Sequence, residues 1–439
     1  MLNCCRRQYG CGKRKTAPEY RERDGEKAMR DVIIIGAGPA GLSASISCAR
    51  FGLNVLVIDE FMKPGGRLLG QLHQEPTGEW WNGIEESKRL HEEAKSLSVE
   101  IQCGVSVFNL DKDESNWFVH TNIGTLEAPF VLLATGAAEY SIPLPGWTLP
   151  GVMSIGAAQV MTNVHRVQVG KKGIIIGANI LSFAILNELQ LAGIKVDHIV
   201  LPEKSELSQK AGEPEEVLNS LLNAAHLAPS AFLRIGSRLM KNDWIRKTGL
   251  TFYPNNGMKI NGTPLHLRKA ALEIIGTDQV EGVRVAGIDS KGNIIHGSEK
   301  ILEADFVCIA GGLYPLAELA AVAGCPFQYI SELGGHVPLH SETMETPLPG
   351  LFVAGNITGI ESGKIAMAQG AVAGYSIVKK ANKKSNSLEQ HLQQAIQNVH
   401  TVRQQAAIQF NPMIDAGRRK MNEIWRDYSS SYAHTKKSC

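Results

Sequence analysis

The chain is short of paired cysteines. It has eight, Cys4, Cys5, Cys11, Cys48, Cys103, Cys308, Cys325 and Cys439, and none stands in a C-x-x-C or C-x-x-x-x-C arrangement. Chemistry that needs two neighbouring redox thiols is therefore not expected. The cysteines of the body sit singly among apolar residues and read as buried structural thiols in a reducing cytoplasm. Cys4, Cys5 and Cys11 lack a matching second pair, so no metal site is expected there. Apolar runs of 18 or more residues are also missing, and with them any expectation of a transmembrane helix. Charge of one sign is missing too: the net charge is +2. Residues 1–30 hold nine Lys/Arg and four Asp/Glu, which leaves 36 basic and 39 acidic residues in the rest. A basic nucleic-acid-binding core is excluded on that balance. The basic tail has no apolar stretch for a signal peptide, and it has acids but no serine, unlike a transit peptide. We read residues 1–30 as a disordered basic extension, with a start at Met29 as the alternative.

Glycine, by contrast, is plentiful, at 44 of 439 residues. That suits a protein with many strand-to-helix turns lying close to a ligand. The length suggests two or three domains. "VIII" at 32–35 reads as a buried parallel strand. It runs into Gly36-Ala37-Gly38-Pro39-Ala40-Gly41, a G-x-G-x-x-G turn, and then a helix over 39–50 with Pro39 in its first turn. A second strand, "NVLVID", ends on Asp59, at the distance from Gly36 that a ribose-binding acid needs. Gly36 permits the tight turn, Gly38 lets backbone approach a pyrophosphate, and Gly41 lets helix pack on strand. The helix N-terminus stabilises phosphate charge, and Asp59 can accept hydrogen bonds from ribose hydroxyls. Strand, turn, helix, strand and acid in register predict a dinucleotide site.

A second strand–turn–helix–strand unit begins at Gly173: "GIIIGANILSFAILNELQLAGIKVDHIV". Its apolar order is intact, with a helix expected over 179–192. Its phosphate chemistry is poorer. Gly177 is kept, but Asn179 and Ser182 replace the second and third glycines, and Val200 occupies the position that corresponds to Asp59. The sequence therefore predicts that the fold survives here without the usual NAD(P) signature. NAD(P), another nucleotide, a partner surface or an empty relic all stay open.

Three further segments resemble a known family: "KPGGRLLGQLH" at 63–73, "FVLLATGA" at 130–137 and "PGLFVAGNITG" at 349–359. They are similar to those of the thioredoxin-reductase-like FAD/NAD(P)-binding oxidoreductases, over roughly residues 31–380. The resemblance implies FAD as cofactor. It implies that Asp59, with Glu60 beside it, holds the adenosine ribose. Gly66, Arg67 and Gln71 would lie along the cofactor, and Val107 would offer backbone to the adenine. Pro39 and Ala40 would flank the phosphates, with Thr135 and Gly136 near them. Gly355 and Asn356 would meet the ribityl chain or a phosphate, Asn356 standing where the family usually has Asp. Lys364 and Ile365 would lie beside the flavin pyrimidine, at the N-terminus of the helix in "GIESGKIAMAQGAVAGYSIV".

The absence of a thiol pair separates the chain from the disulfide reductases of that family. "PLPGWTLPGVMSIGAAQ" at 143–159, "PGGRLLGQLH" and "GNITGIESGKIAMAQG" resemble a subgroup, the FAD-containing α subunits of opine oxidase, hydroxyproline dehydrogenase, hydrogen cyanide synthase and sarcosine oxidase. That resemblance implies a small [2Fe–2S] protein and a second flavoprotein as partner subunits, with an amine or imino acid as substrate. No Cys lies between Cys325 and Cys439, so a Cys4 cluster there would have to come from a partner.

The expected fold is α/β: two three-layer, Rossmann-like dinucleotide domains, the second inserted into the first. The boundaries are 31–150 and 321–385 for the FAD domain, 151–320 for the insertion and 386–439 for a helical tail. In that tail Leu388, Leu392, Ile396 and Val399 form one stripe, facing the body or a partner chain. "KSELSQKAGEPEE" reads as a surface loop. Catalytic residues are not evident: His73 and Trp80-Trp81 are candidates for lining the flavin or an acceptor path. His336 and His340 read as sharing one face of an extended segment, without a third ligand. The expectation is a cytoplasmic FAD-dependent oxidoreductase subunit. The alternatives are a stand-alone NAD(P)H-dependent reductase of an electron carrier and a non-catalytic nucleotide-binding subunit.

Overall fold

The structure is a computed structural model, and it describes residues 30–437 apart from 76–77, 225–248, 251, 383–386 and 407–408. The basic tail, with Cys4, Cys5 and Cys11, and Cys439 lie outside the described residues.

The chain starts with β1 (Val32–Ile35), α1 (Pro39–Arg50) and β2 (Val55–Asp59). A hairpin of β3 (Leu72–Gln74) and β4 (Trp80–Asn82) leads to α2 (Gly83–Ser96) and β5 (Glu100–Cys103). An antiparallel ribbon follows, β6 (Val107–Lys112), β7 (Trp117–Thr121) and β8 (Gly124–Ala128), and then β9 (Phe130–Leu133). β10 (Ala137–Glu139) leaves this unit.

The next segment begins with β11 (Val152–Ser154), α3 (Ile155–Asn163), β12 (Lys172–Ile176), α4 (Ile180–Leu191) and β13 (Lys195–Pro202). It continues through α5 (Pro214–Ala224), β14 (Met258–Ile260), β15 (Thr263–Ile275), β16 (Gly282–Gly287), β17 (Lys300–Glu303) and β18 (Phe306–Ile309). β19 (Leu313–Pro315) pairs with β10 on the way back. Then come β20 (Phe327–Ile330), β21 (Gly335–Pro338), β22 (Leu351–Val353), α6 (Gly363–Lys380), α7 (Leu388–Gln404) and α8 (Ile414–Lys437).

Two mainly parallel sheets result. The first has the order β22-β9-β1-β2-β5, so a strand from beyond residue 350 completes a sheet begun at residue 32. The alternation in "VIII" splits its two faces. Val32 and Ile34 pack under α1 and α6, while Ile33 and Ile35 pack against the ribbon, with Trp117 and Val119. Helices, sheet and ribbon are the three layers. The second sheet runs β11-β18-β12-β13-β15-β16-β17, with β14 beside β15. Ile175 and Ile199 face α3 and α4, and Ile174 and Ile176 face Ile274 and Val283 from the antiparallel end of the same sheet. The architecture is α/β with Rossmann-like units.

Two expectations are corrected. The "KSELSQKAGEPEE" stretch is a surface loop only in part: it turns at Ser205–Ser208, forms a short 3-10 turn over Gln209–Gly212 and enters α5 at Pro214. Pro at the first helical position followed by Glu215 and Glu216 is a helix-start signal outweighed by the polar composition. His336 and His340 do not share a face. His336 is exposed against Tyr329, whereas His340 lies beyond the end of β21, buried, with Nδ1 at 2.7 Å from the Pro338 carbonyl. The strand ends at Pro338, and the two-residue alternation ends with it.

The helical tail packs on its own body. Leu388, Leu392 and Val399 of α7 are buried in the core shared with α1 and α6, with Ile396 half-buried beside them. Ile414 and Met421 of α8 close over Ile330, Leu333 and Val337. Among the described residues, no helix is long and apolar enough to cross a membrane.

Candidate functional site

The G-x-G-x-x-G turn is the hub to which the other segments come. A Cβ on Gly36 would stand 2.4 Å from the Ala134 carbonyl, against the turn carrying Thr135 and Gly136. A Cβ on Gly66 would meet Gly38 Cα at 3.0 Å, and one on Gly355 would meet Ala40 Cβ at 2.8 Å. Gly65 N–H donates to the Ala37 carbonyl at 2.7 Å, tying the 65–67 loop to the hub. The segments at 36–41, 65–67, 134–136 and 355–356 thus converge on one place at the carboxyl ends of β1 and β9. A Cβ on Gly38, however, would meet nothing within 4 Å, so this turn keeps an open side.

The open side suits a phosphate. Gly38 caps α1 with no side-chain hydrogen bond, and the first turn of α1 holds no acid. The N–H groups there are unclaimed by side chains, and the positive end of the helix dipole faces out. Asp59 ends β2 beside the turn, its Oδ2 accepting from Ala37 N–H at 2.6 Å and its Oδ1 from Phe61 N–H at 2.7 Å. Burial raises the Asp59 carboxyl above its ordinary value against the pull of both hydrogen bonds. Each oxygen keeps a lone pair for a ribose hydroxyl. Glu60 is exposed next to it. Gly104 and Val105 bond to Phe61 and Asp59 carbonyls, which brings the chain leading to Val107 to the same end of the sheet.

Other candidates are held by protein partners. Arg67 donates twice to the Ala137 carbonyl, at 3.2 Å from Nε and 2.9 Å from Nη2, and its Nη1 is 3.9 Å from Glu139. Thr135 Oγ1 donates to the Leu316 carbonyl at 2.5 Å. Asn356 Oδ1 accepts from Glu361 N–H at 3.3 Å, which leaves its amide N–H groups for another partner. A donor is what a phosphate or ribityl oxygen needs, so Asn in place of Asp fits the cofactor. Ile365 is buried, and its N–H reaches the Ser362 cap at 3.4 Å.

Lys364 sits in a small polar cage on the hairpin. Its Nζ is 2.5 Å from Glu75 Oε1 and 4.8 Å from the centre of the Trp81 ring. Trp81 Nε1 donates to Gln71 Oε1 at 3.0 Å, so Gln71, Trp81, Glu75 and Lys364 form one cluster. His73 pairs with Trp81 across β3–β4, and burial holds its imidazole below the ordinary value, opposed by Glu75 and assisted by Lys364. Trp80 is exposed.

The second fold has the opposite helix start. Asn179 caps α4 with a full capping box: its Oδ1 accepts from Ser182 N–H at 2.9 Å, and Ser182 Oγ accepts from Asn179 N–H at 2.9 Å. Asn179 Nδ2 donates to the Ala310 carbonyl at 2.9 Å. The two residues that replace glycines thus claim two of the N–H groups at this helix start, their own. An open cleft of about 1600 Å³ lies beside the end of β13, lined by Tyr140, Glu203, Lys204, Gly312 and Tyr329 among others. Its lysines, Lys204 and Lys210, pair with Glu213 and Glu216. The residues present do not fit a dinucleotide pyrophosphate.

Sequence reasoning missed two buried carboxylates. Glu188 of α4 accepts from Leu72 N–H at 3.1 Å, Gln159 Nε2 at 2.7 Å and Asn163 Nδ2 at 3.0 Å, joining the second unit to the loop that follows the Gly65–Gly66 pair. Glu361 meets Arg403 and Arg418 from the tail. Neither has a local motif: the side-chain partners of Glu188 and the arginines of Glu361 are distant in sequence. Among the described residues the four cysteines are free, and burial pushes the Cys308 and Cys325 thiols up to about 12.

The chain is similar to known proteins over most of its length. Residues 30–201 match the pyridine nucleotide-disulphide oxidoreductase family, and residues 336–385 match the glucose inhibited division protein A family. The A subunit of opine oxidase from Agrobacterium tumefaciens (strain Ach5) is 26% identical over 359 residues, covering 78% of this chain and 64% of that protein. The corresponding protein of Rhizobium meliloti is also 26% identical, and the match spans 82% of this chain and 63% of its own length. The chain therefore spans under two thirds of these relatives. Among solved structures, L-proline dehydrogenase from P. horikoshii superposes with a TM-score of 0.58 at 18% identity, covering 83% of this chain and 59% of that one. Thioredoxin reductase of T. acidophilum gives 0.57 at 21% identity, covering 80% and 98%. Residues 30–201, which hold the open glycine turn, are thus similar to the FAD/NAD(P)-binding domain of the pyridine nucleotide-disulphide oxidoreductases, and the fold is that of L-proline dehydrogenase and thioredoxin reductase.

Proposed function

We propose that this chain is the FAD subunit of a multi-subunit dehydrogenase for amines or imino acids of the opine or hydroxyproline type, and that it passes electrons from substrate oxidation to an acceptor. The observation that carries this reading is the contrast between two helix starts: α1 opens on an uncapped glycine, α4 on a closed Asn179–Ser182 box. A chain with a phosphate-ready FAD turn and a self-satisfied second turn is built to receive electrons from something other than NAD(P)H. The likeness to the opine oxidase protein supports an amine-type substrate and a place in a larger assembly. A second flavoprotein and a small [2Fe–2S] protein are the partners this reading names. The free, singly placed thiols support a reducing cytoplasm as its compartment.

Bound FAD would supply two-electron redox chemistry. The residues of this chain do the rest. Gly36, Gly38 and Gly41 shape the phosphate turn, with Pro39 and Ala40 opening α1. Asp59 holds the ribose, and Asn356 presents its amide donors. Lys364 places a positive charge at the N-terminus of α6, where negative charge gathers on reduction. Replacing Lys364 by Met is expected to lower the flavin midpoint potential by about 30 mV, equal to ~1.4 kcal/mol for a two-electron couple. Because Glu75 partly neutralises Lys364, Glu75→Gln is expected to raise it. Spectroelectrochemical titration checks both, and an unmoved potential in both variants rejects the role.

The function is tested anaerobically on the purified yellow protein. Slow or absent bleaching by NADH and NADPH, with rapid bleaching by an imino acid once the second flavoprotein is added, is the expected result. Rapid bleaching by NADH or NADPH alone would overturn it in favour of a stand-alone reductase of an electron carrier. A flavin that neither route reduces would mark a non-catalytic nucleotide-binding subunit.

A further inference from the structure

The turn at Gly355 rests on a chain of buried polar groups that ends in the C-terminal helices. Gly355 N–H donates to Gln369 Oε1 at 3.0 Å. Thr358 Oγ1 donates to the Gly355 carbonyl at 2.8 Å and stands 3.4 Å from Gln369 Oε1. Gln369 Nε2 donates to Glu361 Oε2 at 3.3 Å. Glu361 in turn receives Arg403 of α7, through Nε at 2.5 Å and Nη2 at 3.2 Å, and Arg418 of α8, through Nε at 3.1 Å and through Nη2. Arg418 Nη1 reaches back to the Thr358 carbonyl at 2.9 Å and hydroxyl at 3.1 Å. The loop from 355 to 361 is therefore held at both ends by one ion cluster, and Glu361 N–H also orients Asn356.

The cluster is deeply buried. The side chains of Glu361, Arg403 and Arg418 are 4%, 7% and 12% exposed, and Gln369 and Thr358 are closed off from solvent. The charged and titratable groups around it are few. His340 Nε2 lies 3.5 Å from Arg418 and is neutral, its imidazole pushed down to about 4 by burial and by that guanidinium. Asp415, 4.0 Å from Arg403 and exposed, faces it from α8. Burial works to raise the Glu361 carboxyl, and the two guanidiniums outweigh it and hold it below its ordinary value. Such a cluster costs desolvation and is weak evidence for stability as such, so a specific geometric role is the better account of its presence.

We propose that Glu361, locked by Arg403 and Arg418, is a positioning residue for the cofactor: it sets Gln369 and Asn356, and through them the Gly355–Thr358 turn against which FAD binds. The two C-terminal helices are then part of the cofactor site and not a passive cover. The proposal rests on the assignment of the Gly355–Asn356 turn to FAD.

The test uses the full-length chain, with FAD affinity from flavin fluorescence and midpoint potential as readouts beside apoprotein melting. Wild-type apoprotein that takes up no FAD overturns the underlying assignment, before any variant is made. Given uptake, Glu361→Gln is expected to weaken FAD binding about tenfold or more, as when a buried hydrogen bond to a charged group goes unmade, and to shift the midpoint potential. Arg418→Lys keeps the charge but not the fork, and is expected to keep the wild-type potential while binding FAD less tightly than wild type. Should Glu361→Gln not fold, Thr358→Val removes only the hydroxyl within the network, and a severalfold weaker FAD affinity is expected. Variants that fold with wild-type affinity and potential, whatever their melting points, overturn the proposal.

Discussion

Alanine at Gly38 is expected to leave the protein folded and to weaken FAD binding roughly 10- to 100-fold, while alanine at Gly41 is expected to destabilise the fold strongly. The two glycines belong to one short motif, yet their surroundings differ. Gly38 has an extended backbone, φ −74° and ψ −175°, which alanine adopts freely, and its Cβ would project into open space. Stability should stay within about 0.5 kcal/mol of wild type. If a pyrophosphate takes that open space, as the proposed function has it, a methyl group there forces an overlap worth about 1–3 kcal/mol, hence the 10- to 100-fold loss. At Gly41 the added Cβ would lie 1.9 Å from the Gly36 carbonyl oxygen, which is backbone and cannot turn aside. The cost there is about 3 kcal/mol or more. FAD titration and thermal melting of both variants check this. If Gly38→Ala binds FAD as tightly as wild type, the phosphates do not lie at this turn.

The second large effect belongs to Glu188. This carboxyl is 4% exposed, and burial raises it from 4.5 to about 7 despite three donors pointing at it. The folded chain then binds this proton more tightly than the unfolded chain. Folding takes up a proton between about pH 4.5 and 7, so the contribution of Glu188 to stability is present below that window, declines as pH rises through it, and is gone above. The upper bound is of order 3 kcal/mol, at ~1.4 kcal/mol per pH unit. Urea unfolding at pH 5 and pH 8 is expected to show this fall in the wild type and a shallower one in Glu188→Gln. Equal pH dependence in the two proteins would show that Glu188 ionises normally. The consequence is local, since Glu188 holds Leu72, and Asn163 beside it holds the Gly70 carbonyl at 2.6 Å. The join between the second unit and the loop at Gly70–Leu72 should loosen at higher pH.

How much of this is legible in the sequence follows from where the partners lie. Val32 to Asp59 carries its own instructions: β-branched strand, glycine turn, Pro39 at the helix start and an acid at a fixed spacing. All of these act within one short stretch of chain, and the structure has them at the expected positions. The loss of the phosphate turn at Asn179 and Ser182 is legible for the same reason. The sequence cannot say that these two side chains cap each other, only that glycine is gone. The motif points to Gly66, but Gly65 is the tighter position, since its Cβ would stand 2.1 Å from Ser87 Oγ, delivered by α2. Lys364 is visible as a helix-start lysine, but its pairing with Glu75, 289 positions away, is not.

By itself, then, the sequence determined the class of fold, the first nucleotide turn and the damage to the second, because backbone conformation, apolar alternation and helix capping are short-range physics. Only the tertiary structure decided what surrounds the turn. A strand from residues 351–353 completes a sheet begun at residue 32, and arginines from α7 and α8 reach Glu361 across 42 and 57 positions. A buried carboxylate must find its counter-charges wherever the fold delivers them. That choice depends on how the chain returns, and no local pattern records it.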